Sequence, residues 1–221
     1  QIRAGEIVGL TGLMGAGRTE TARLIFGADR RDSGIMKLAG REIRIDDPRD
    51  AIAAGIGLLT EDRKTQGLIL KHAVRENFGL PNLDQFSSGG FVNQNQESAV
   101  FASYVERLQV KVPHQEQLAR NLSGGNQQKV VLAKWLARNC DVLIFDEPTR
   151  GIDVGAKHEI YQLMNELAGQ GKAILMISSE LPEVLGMSDR ILVMHQGKIT
   201  GEIQDVPTTT QEEILELAMQ T

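Results

Sequence analysis

The sequence predicts an α/β fold in which short buried strands alternate with helices. Apolar runs at 6–10, 142–145 and 173–177 have the length of strands that are covered on both faces. Stretches of helical length separate these runs, and some begin with a residue that suits a helix start. With 221 residues, of which 41% are hydrophobic, the chain is long enough to bury a core.

The first part of the chain is predicted to open with a strand, a glycine-rich turn and a helix. In order, we expect a strand at 6–10, a helix at 18–26, a pair of short strands at 34–38 and 42–45, a helix that begins at 47–48, and a strand at 57–60. The second helix is expected because Asp47 can cap the first amides and Pro48 suits the first helical turn.

The middle of the chain, residues 68–122, differs in character. It contains Ser-Ser-Gly-Gly at 87–90, an amide-rich segment and a predicted helix at 97–108. Strand signals are lacking here, so we expect a helical lobe inserted into the α/β core. The core is then formed by 1–67 together with 123–221.

The α/β pattern resumes at Ser123, a residue that suits a helix N-cap. The predicted elements are a long helix after Ser123, a strand at 142–145, a helix at 155–168, a strand at 173–177, a strand pair at 191–194 and 198–203, and a last helix after Thr210. Thr210 and Glu213 have the spacing of a capping box, which starts that helix.

Composition and charge exclude several classes of function. The 24 basic and 29 acidic residues give a net charge of −5 without a basic stripe, so we expect no nucleic-acid partner. No apolar run approaches the roughly 20 residues that cross a bilayer. The single cysteine, Cys140, excludes an internal disulfide and is expected to be a small buried residue. The chain enters a strand almost directly from Gln1, and we expect it to be a piece of a longer polypeptide.

A glycine-rich motif lies between the first strand and the first helix. It reads Gly12-Leu13-Met14-Gly15-Ala16-Gly17-Arg18-Thr19, which has the spacing of a P-loop with arginine in place of lysine. The glycines allow backbone N–H groups to surround a phosphate, and the helix N-terminus adds partial positive charge. The hydroxyl of Thr19 is suited to Mg²⁺. The alternative is a plain glycine turn that joins a strand to a helix.

Two adjacent acids, Asp146 and Glu147, follow the apolar run at 142–145. This order places them at the carboxyl end of a strand, where α/β folds bind ligands. Asp146 can hold Mg²⁺ through water, and Glu147 can orient or deprotonate an attacking water. The alternative, a strand that ends in solvated acids, is weakened because a P-loop lies upstream.

A third motif opens the long helix and reads Leu122-Ser123-Gly124-Gly125-Asn126-Gln127-Gln128-Lys129. Ser123 can cap the helix, and the two glycines leave its first amides open to an anion. The alternative is a flexible joint. That alternative does not explain why a helix and an acid-ended strand follow directly.

Together the three motifs resemble those of the ATP-binding cassette family across essentially the whole chain. Residues 122–128 look like its signature motif, 146–147 like its Walker B acids and 152–153 like its D-loop. A closer resemblance is to the C-terminal cassette of bacterial monosaccharide importers of the ribose, galactose and xylose type. The passages that carry it are GLMGAGRTE at 12–20, TEDRKTQGL at 60–68, LSGGNQQKV at 122–130 and DEPTRGIDVGAK at 146–157.

The resemblance implies a P-loop NTPase (RecA-like) core with an antiparallel β subdomain and an inserted α-helical subdomain. It implies ATP and Mg²⁺ as cofactors, and a sugar-transporting ATPase at the cytoplasmic face of the inner membrane. The partners it implies are a second cassette in the same polypeptide, transmembrane permease subunits and, indirectly, a periplasmic sugar-binding protein.

The same resemblance assigns roles to individual residues. The nucleotide-binding set is Gly12, Gly15, Ala16, Gly17, Arg18, Thr19, Glu20, Ser123, Gly124 and Gly125. The catalytic positions are Glu147 and Ser179, and the metal positions are Thr19, Asp146 and Glu61. The residue that stacks on adenine in this family would precede Gln1.

Three positions around one γ-phosphate depart from the family pattern. Arg18 replaces the P-loop lysine, and its planar guanidinium is wider than an ammonium group. Glu61 stands at the Gln-loop position, with Gln66 as the alternative, and Ser179 stands where a switch histidine is expected. We therefore expect a site that binds nucleotide but hydrolyses it slowly, while the signature motif completes the site of a partner cassette.

Two other interpretations stay open. One is a fully active ATPase cassette in which Arg18 acts for the lysine. The other is a non-transport member of the family that acts on DNA or ribosomes, and the acidic charge of the chain argues against it.

Overall fold

Strands and α-helices alternate along residues 1–220, the part of the chain that the computed structural model describes. The strands are β1 (Ile7–Gly12), β2 (Met36–Leu38), β3 (Arg41–Ile43), β4 (Ile56–Leu59), β5 (Ser87–Ser88), β6 (Phe91–Val92), β7 (Val142–Asp146), β8 (Ala173–Ile177), β9 (Arg190–His195) and β10 (Lys198–Ile203). The helices are α1 (Arg18–Phe26), α2 (Pro48–Ala53), α3 (Val74–Gly79), α4 (Leu83–Phe86), α5 (Gln94–Arg107), α6 (Gly124–Ala137), α7 (Val154–Gly169), α8 (Leu181–Met187) and α9 (Gln211–Met219).

The main sheet has six strands in the order β10-β9-β1-β8-β7-β4. β1 runs parallel to β8 and β9, and β7 runs parallel to β8, whereas β10 is antiparallel to β9. The apolar residues of β1, β7 and β8 are almost all buried, as expected for parallel strands with both faces covered. Because parallel strands end at the same edge, these three carboxyl ends meet where such sheets bind ligands.

Most of the predicted elements are confirmed. The helix at 18–26 and the strand at 173–177 have the predicted bounds, and the strand predicted at 57–60 is displaced by one residue. The side chain of Asp47 accepts the N–H groups of Arg49 and Asp50 and so caps α2. A capping box of the predicted kind starts α9. Local signals at helix ends therefore act here as the sequence predicts.

The expectation that residues 68–122 contain no strands is wrong, because β5 and β6 form a two-stranded hairpin there. The loop between them consists of Gly89 and Gly90, which both have left-handed backbone angles (φ 60° and 84°). Two such residues form the tight turn whose twist suits a two-residue hairpin. The Ser-Ser-Gly-Gly segment therefore indicates a hairpin. It was not predicted because strands of two residues are too short to show an alternating pattern.

Chain contacts divide the protein into two compact units. The first consists of Gln1–Leu58, Cys140–Pro148 and the chain from Glu159 onward, and the second of Leu59–Asn139 and Thr149–His158. The second unit is mainly helical and is built around Phe78, whose ring lies 5.1 Å from that of Phe101 between ring centroids.

The predicted insert at 68–122 lies inside the second unit. That unit also takes in α6, which the sequence had assigned to the core. That residues 68–122 form a separate subdomain with these bounds stays a prediction. Among residues 1–220, no helix is both long enough and apolar enough to cross a membrane.

Removal of Arg190 tests how strongly a buried ion pair holds the first unit. Its guanidinium donates at 2.9 Å to Glu6 Oε1 and at 2.9 Å to Glu202 Oε1, and both Arg190 and Glu6 are buried. Arg190→Ala would leave Glu6 charged without its buried partner, with only the exposed Arg3 guanidinium nearby, so we expect a loss of about 3–5 kcal/mol in the free energy of unfolding.

A matched control is Arg49→Ala, since Arg49 pairs with Asp47 but its side chain is 91% exposed. We expect a loss of at most about 1 kcal/mol from this change. Urea unfolding followed by circular dichroism measures both. Equal losses in the two variants would contradict the assignment of stability to the buried pair.

Candidate functional site

The P-loop connects β1 to α1 through backbone conformations that require glycine. Gly17 caps α1 with left-handed angles (φ 97°, ψ 15°) and supplies no side chain to the first helical amides. Gly12 is confined by packing, because a Cβ there would lie 2.2 Å from the carbonyl oxygen of Met194. The loop therefore presents helix N-terminal amides that no side chain of the cap covers, an arrangement suited to a phosphate.

Three other residues predicted to bind nucleotide, Gly15, Ala16 and Glu20, differ in their surroundings. Ala16 is buried, its N–H donates to the carbonyl of Leu13 at 3.0 Å, and its own carbonyl accepts from the N–H of Gly197 at 2.8 Å. Glu20 is exposed in the first turn of α1, while an added Cβ at Gly15 would meet no atom within 4 Å. Ala16 thus shapes the loop from inside, and Gly15 lies at its open side.

Arg18 turns its guanidinium towards the carboxyl edge of the sheet. Its Nη1 donates to the carbonyl oxygen of Ser178 at 3.0 Å and lies 3.8 Å from Glu147 Oε1. The side chains of Arg18 and Glu147 are only 12% and 9% exposed, so this ion pair is shielded from water. The positive charge of the P-loop thus lies beside the acid that the sequence assigns to catalysis.

Thr19 and Asp146 form a pair of oxygen groups at the end of β7. The Thr19 hydroxyl donates to Asp146 Oδ1 at 3.2 Å, and Asp146 is 2% exposed. Burial and, to a smaller extent, the nearby charge of Glu147 raise the pKa of Asp146 to about 6, although the Thr19 hydrogen bond and the Arg18 charge oppose the shift.

This pair fits Mg²⁺, a hard cation that proteins bind through one or two carboxylates while phosphates and water complete its shell. Among residues 1–220 no cluster of three or more acidic, histidine or cysteine side chains forms a metal cage. A hydroxyl and a buried carboxylate suit a metal whose other ligands are phosphates and water. Glu61, the third predicted metal position, belongs to the second unit, where its carboxylate forms an ion pair with Arg150.

Glu147 is held from two sides and adopts a strained backbone. Its φ is 48°, a left-handed value that costs a residue with a side chain about 1–3 kcal/mol and that recurs at active sites. Oε2 accepts the hydroxyl of Ser179 at 3.1 Å, while Oε1 faces Arg18. Burial raises the pKa of Glu147, and the Ser179 hydrogen bond and the Arg18 charge oppose that rise. Ser179 therefore contacts the predicted catalytic acid directly.

The signature motif lies in the second unit at the start of α6. Ser123 is exposed and caps the helix, and its hydroxyl accepts the N–H of Asn126 at 3.4 Å. Gly124 is closely packed, because a Cβ would lie 2.7 Å from Arg63 Nη2 and 3.3 Å from the carbonyl oxygen of Gly151, so a side chain there would displace the guanidinium. Gly125 is buried, and a Cβ there would lie 3.2 Å from Ala156. An exposed hydroxyl thus stands beside a closely packed glycine turn.

The alternative Gln-loop residue, Gln66, is exposed within a single π turn at Arg63–Gly67. Its N–H donates to the carbonyl of Asp62 at 2.9 Å. The roles of Glu61 and Gln66 both stay predictions.

Two groups that contact the predicted site residues were not predicted from the sequence. The Ser178 carbonyl that receives Arg18 has no sequence signal, since every residue carries a carbonyl. Arg63 was visible within the TEDRKTQGL passage, but nothing in its spacing linked it to Gly124, which follows 61 positions later.

Comparisons with known proteins identify the family to which the chain is similar. Residues 1–150 match the family model described as ABC transporter. The chain is 55% identical over 218 residues to a putative ribose/galactose/methyl galactoside import ATP-binding protein of Rhizobium etli, covering 99% of this chain and 41% of that protein. It is 54% identical over 217 residues to the ribose import ATP-binding protein RbsA of Bacillus subtilis, covering 98% of this chain and 44% of that protein. The chain thus spans about two-fifths of the length of these curated relatives.

Solved structures support the fold. A nucleotide-free ATP-binding cassette from an ABC transporter matches with a TM-score of 0.81 at 22% identity, over 100% of this chain and 90% of that one. A dimeric ATP-binding cassette in a post-hydrolysis state, bound to ADP and Pi, matches with a TM-score of 0.77 at 22% identity, over 91% and 86% of the two chains. The P-loop fold predicted from the sequence is therefore confirmed.

Asp146→Asn is expected to stabilise the protein at neutral pH. The pKa of Asp146 is about 6 in the folded protein, against 3.8 for an unperturbed aspartate. The protonated carboxyl therefore contributes its full stability to the fold below pH 3.8, and this contribution is lost as the pH rises through about 6. An uncharged amide avoids this penalty, and the variant should gain about 1–3 kcal/mol at pH 7.5. The gain should vanish near pH 4.

Urea unfolding of both proteins at the two pH values measures this difference. The exposed residue Asp32 offers a control, since Asp32→Asn removes an equal charge at the surface. A variant less stable than the unmodified protein at pH 7.5 would contradict the penalty that we assign to the buried carboxylate.

Proposed function

Because the chain belongs to the ABC transporter family, we propose that it is an ATP-binding cassette of a bacterial monosaccharide importer. The support is its identity of more than half over nearly its whole length to proteins named for ribose and galactose import. In this proposal the cassette works at the cytoplasmic face of the membrane with permease subunits. A second cassette in the same polypeptide and, indirectly, a sugar-binding protein complete the assembly.

The residues of the first unit suit ATP with Mg²⁺. The amides at the start of α1 would bind the phosphates, and Thr19 and Asp146 would hold the metal. Bound Mg²⁺ supplies a positive charge that polarises phosphoryl oxygens. Glu147 lies at the same strand end, where a carboxylate can orient an attacking water.

We further propose that this cassette hydrolyses its own ATP slowly. The observation that carries this proposal is the shielded contact of the Arg18 guanidinium with Glu147, 3.8 Å apart. The positive charge of Arg18 opposes the rise in the pKa of Glu147 that burial produces, so it makes the carboxylate a weaker base than burial alone would. Ser179 takes up the other oxygen of the same acid and is too short to perform the role of an imidazole. Both oxygens of the proposed base are thus engaged by the residues that depart from the family pattern.

The signature motif is proposed to act on another cassette. Ser123 is exposed at the start of α6, and the helix terminus adds partial positive charge there. A phosphate held by the P-loop of a second cassette still has oxygens that face outward, which such a terminus can meet. The intact motif would therefore complete the partner's site, while the residues around Arg18 tolerate change.

A fully active ATPase cassette is the alternative. The observation that favours it is the Thr19–Asp146 pair beside Glu147, since the metal-binding and water-orienting groups are all present. The two proposals differ in whether Glu147 is required for transport.

Arg18→Lys alone is expected to tighten nucleotide binding without restoring turnover. A lysine would release Glu147 and suit the phosphate cradle, yet Ser179 would still occupy the switch position. Adding Ser179→His to Arg18→Lys should raise turnover further, by about a hundredfold if one well-placed donor is regained. Nucleotide affinity and steady-state ATPase activity measure the two effects. A hundredfold rise with Arg18→Lys alone would show that Ser179 does not limit the site.

Ser123→Arg and Glu147→Gln test the division of labour in the complete ATP-binding protein, assembled with its membrane partners. Ser123→Arg should abolish ATPase activity and sugar uptake, because it drives a bulky side chain into the partner's phosphate. Glu147→Gln should leave most turnover in place, since the water it would orient belongs to the slow site.

Uptake and ATPase activity are measured at matched expression. If Glu147→Gln abolishes transport as thoroughly as Ser123→Arg, the cassette's own hydrolysis is essential and the fully active alternative holds. If Ser123→Arg leaves activity intact, the proposed role of the signature motif is wrong.

A further inference from the structure

A second cationic group stands beside the signature motif. Arg63 opens the π turn at Arg63–Gly67, and its guanidinium lies against the first turn of α6. Nη2 is 2.7 Å from the position that a Cβ of Gly124 would occupy and 3.9 Å from that of Gly151. Nη1 donates to the carbonyl oxygen of Arg150 at 3.1 Å. The guanidinium therefore fills the space that the glycine leaves at the helix start.

The charge of Arg63 is not neutralised within residues 1–220. No carboxylate forms an ion pair with it there, and its Nε is buried without a hydrogen-bond partner in that part of the chain. The acids nearest in sequence are engaged elsewhere, because Glu61 pairs with Arg150 and Asp62 accepts the N–H groups of Lys64 and Thr65.

Arg63 also lies beside a helix end of the same sign. The N-terminus of α6 carries about half a positive charge on its unpaired amides. A guanidinium placed against such a terminus without an acid is unfavourable in the absence of a ligand, and an anion shared by the two groups removes the repulsion. The geometry is therefore that of a site prepared for a negative charge.

The position of the guanidinium is also well determined. The side chain of Asp62 caps the start of the π turn, and Lys134 Nζ of α6 donates to the carbonyl of Gly67 at the end of the turn. The Lys134 contact fixes the turn to α6, and the Arg63–Arg150 hydrogen bond fixes the guanidinium to the segment that precedes Gly151. Such a pre-organised donor costs little to align with a developing charge.

We propose that Arg63 belongs to the signature face and contacts the terminal phosphate of a nucleoside triphosphate held by a second cassette. This inference rests on the proposed function of the signature motif. Arg63 and the exposed hydroxyl of Ser123 then approach the phosphate from the same helix start, Arg63 as a charge and Ser123 as a hydrogen-bonding group.

The test compares Arg63→Gln, Arg63→Lys and Lys64→Gln in the complete ATP-binding protein with its membrane partners. Lys64 is an exposed cation in the same turn, so Lys64→Gln is a control for the loss of one positive charge. Affinity is measured for ADP and for a non-hydrolysable ATP analogue, together with kcat for ATP hydrolysis. Thermal unfolding of each variant reports any effect on folding.

Arg63→Gln is expected to lower kcat and the affinity for the ATP analogue by about tenfold to hundredfold, with ADP affinity unchanged. A contact to the terminal phosphate cannot affect a ligand that lacks it, whereas a folding defect would weaken both ligands. Arg63→Lys should retain part of the activity because it keeps the charge, and Lys64→Gln should behave like the unmodified protein.

Equal losses for ADP and the ATP analogue, or an Arg63→Gln variant indistinguishable from Lys64→Gln, would overturn the proposal. If Arg63→Gln does not fold, the same comparison is made with Arg63→Lys. A loss of affinity for the ATP analogue but not for ADP supports the proposal, and equal losses or no loss overturn it. Ser123→Arg is measured in parallel to distinguish the proposed role of the signature motif from the proposed role of Arg63. If Ser123→Arg has no effect, the proposed function fails, and if only Arg63→Gln has none, this inference alone fails.

Discussion

The parallel pairing of β1, β8 and β7 is the constraint on which the first unit's site depends. Ile177 lies opposite both Leu10 and Asp146 in the registers of its two neighbouring strands. The residues that follow these three positions therefore emerge at one level of the sheet. A shift of either strand would separate Thr19 from Asp146 and Arg18 from the carbonyl of Ser178. The chemistry of the site thus rests on backbone hydrogen bonds in the buried centre of the sheet.

That arrangement concentrates unfavourable charge in a shielded place. Asp146 and Glu147 are adjacent acids, and burial raises the pKa of both. Glu147 also adopts left-handed backbone angles. The Arg18 guanidinium offsets part of this charge. Stability and chemistry compete at this edge, because the cation that relieves the acids also engages the carboxylate that would orient water.

In the second unit the charge is of the opposite sign, because positive charge is concentrated at the start of α6. Arg63 and the N-terminus of α6 have the same sign, and Gly124 leaves them in contact. One unit therefore presents acids that need a cation, and the other presents donors that need an anion. A nucleotide with its metal carries both charges. This match is the physical reason why two cassettes can share each ATP in the function that we propose.

The sequence by itself determined the elements whose signals are local. α1 and β8 have the bounds that the sequence predicts, and the caps at Asp47 and Thr210 depend on side chains within three residues. The glycine spacing of the P-loop likewise predicted its turn. Only the tertiary structure decided where Arg18 points, because the carbonyl it binds is 160 positions away and no residue type marks it. Contacts of that kind follow from strand order and packing, which the periodicity of a single chain does not encode.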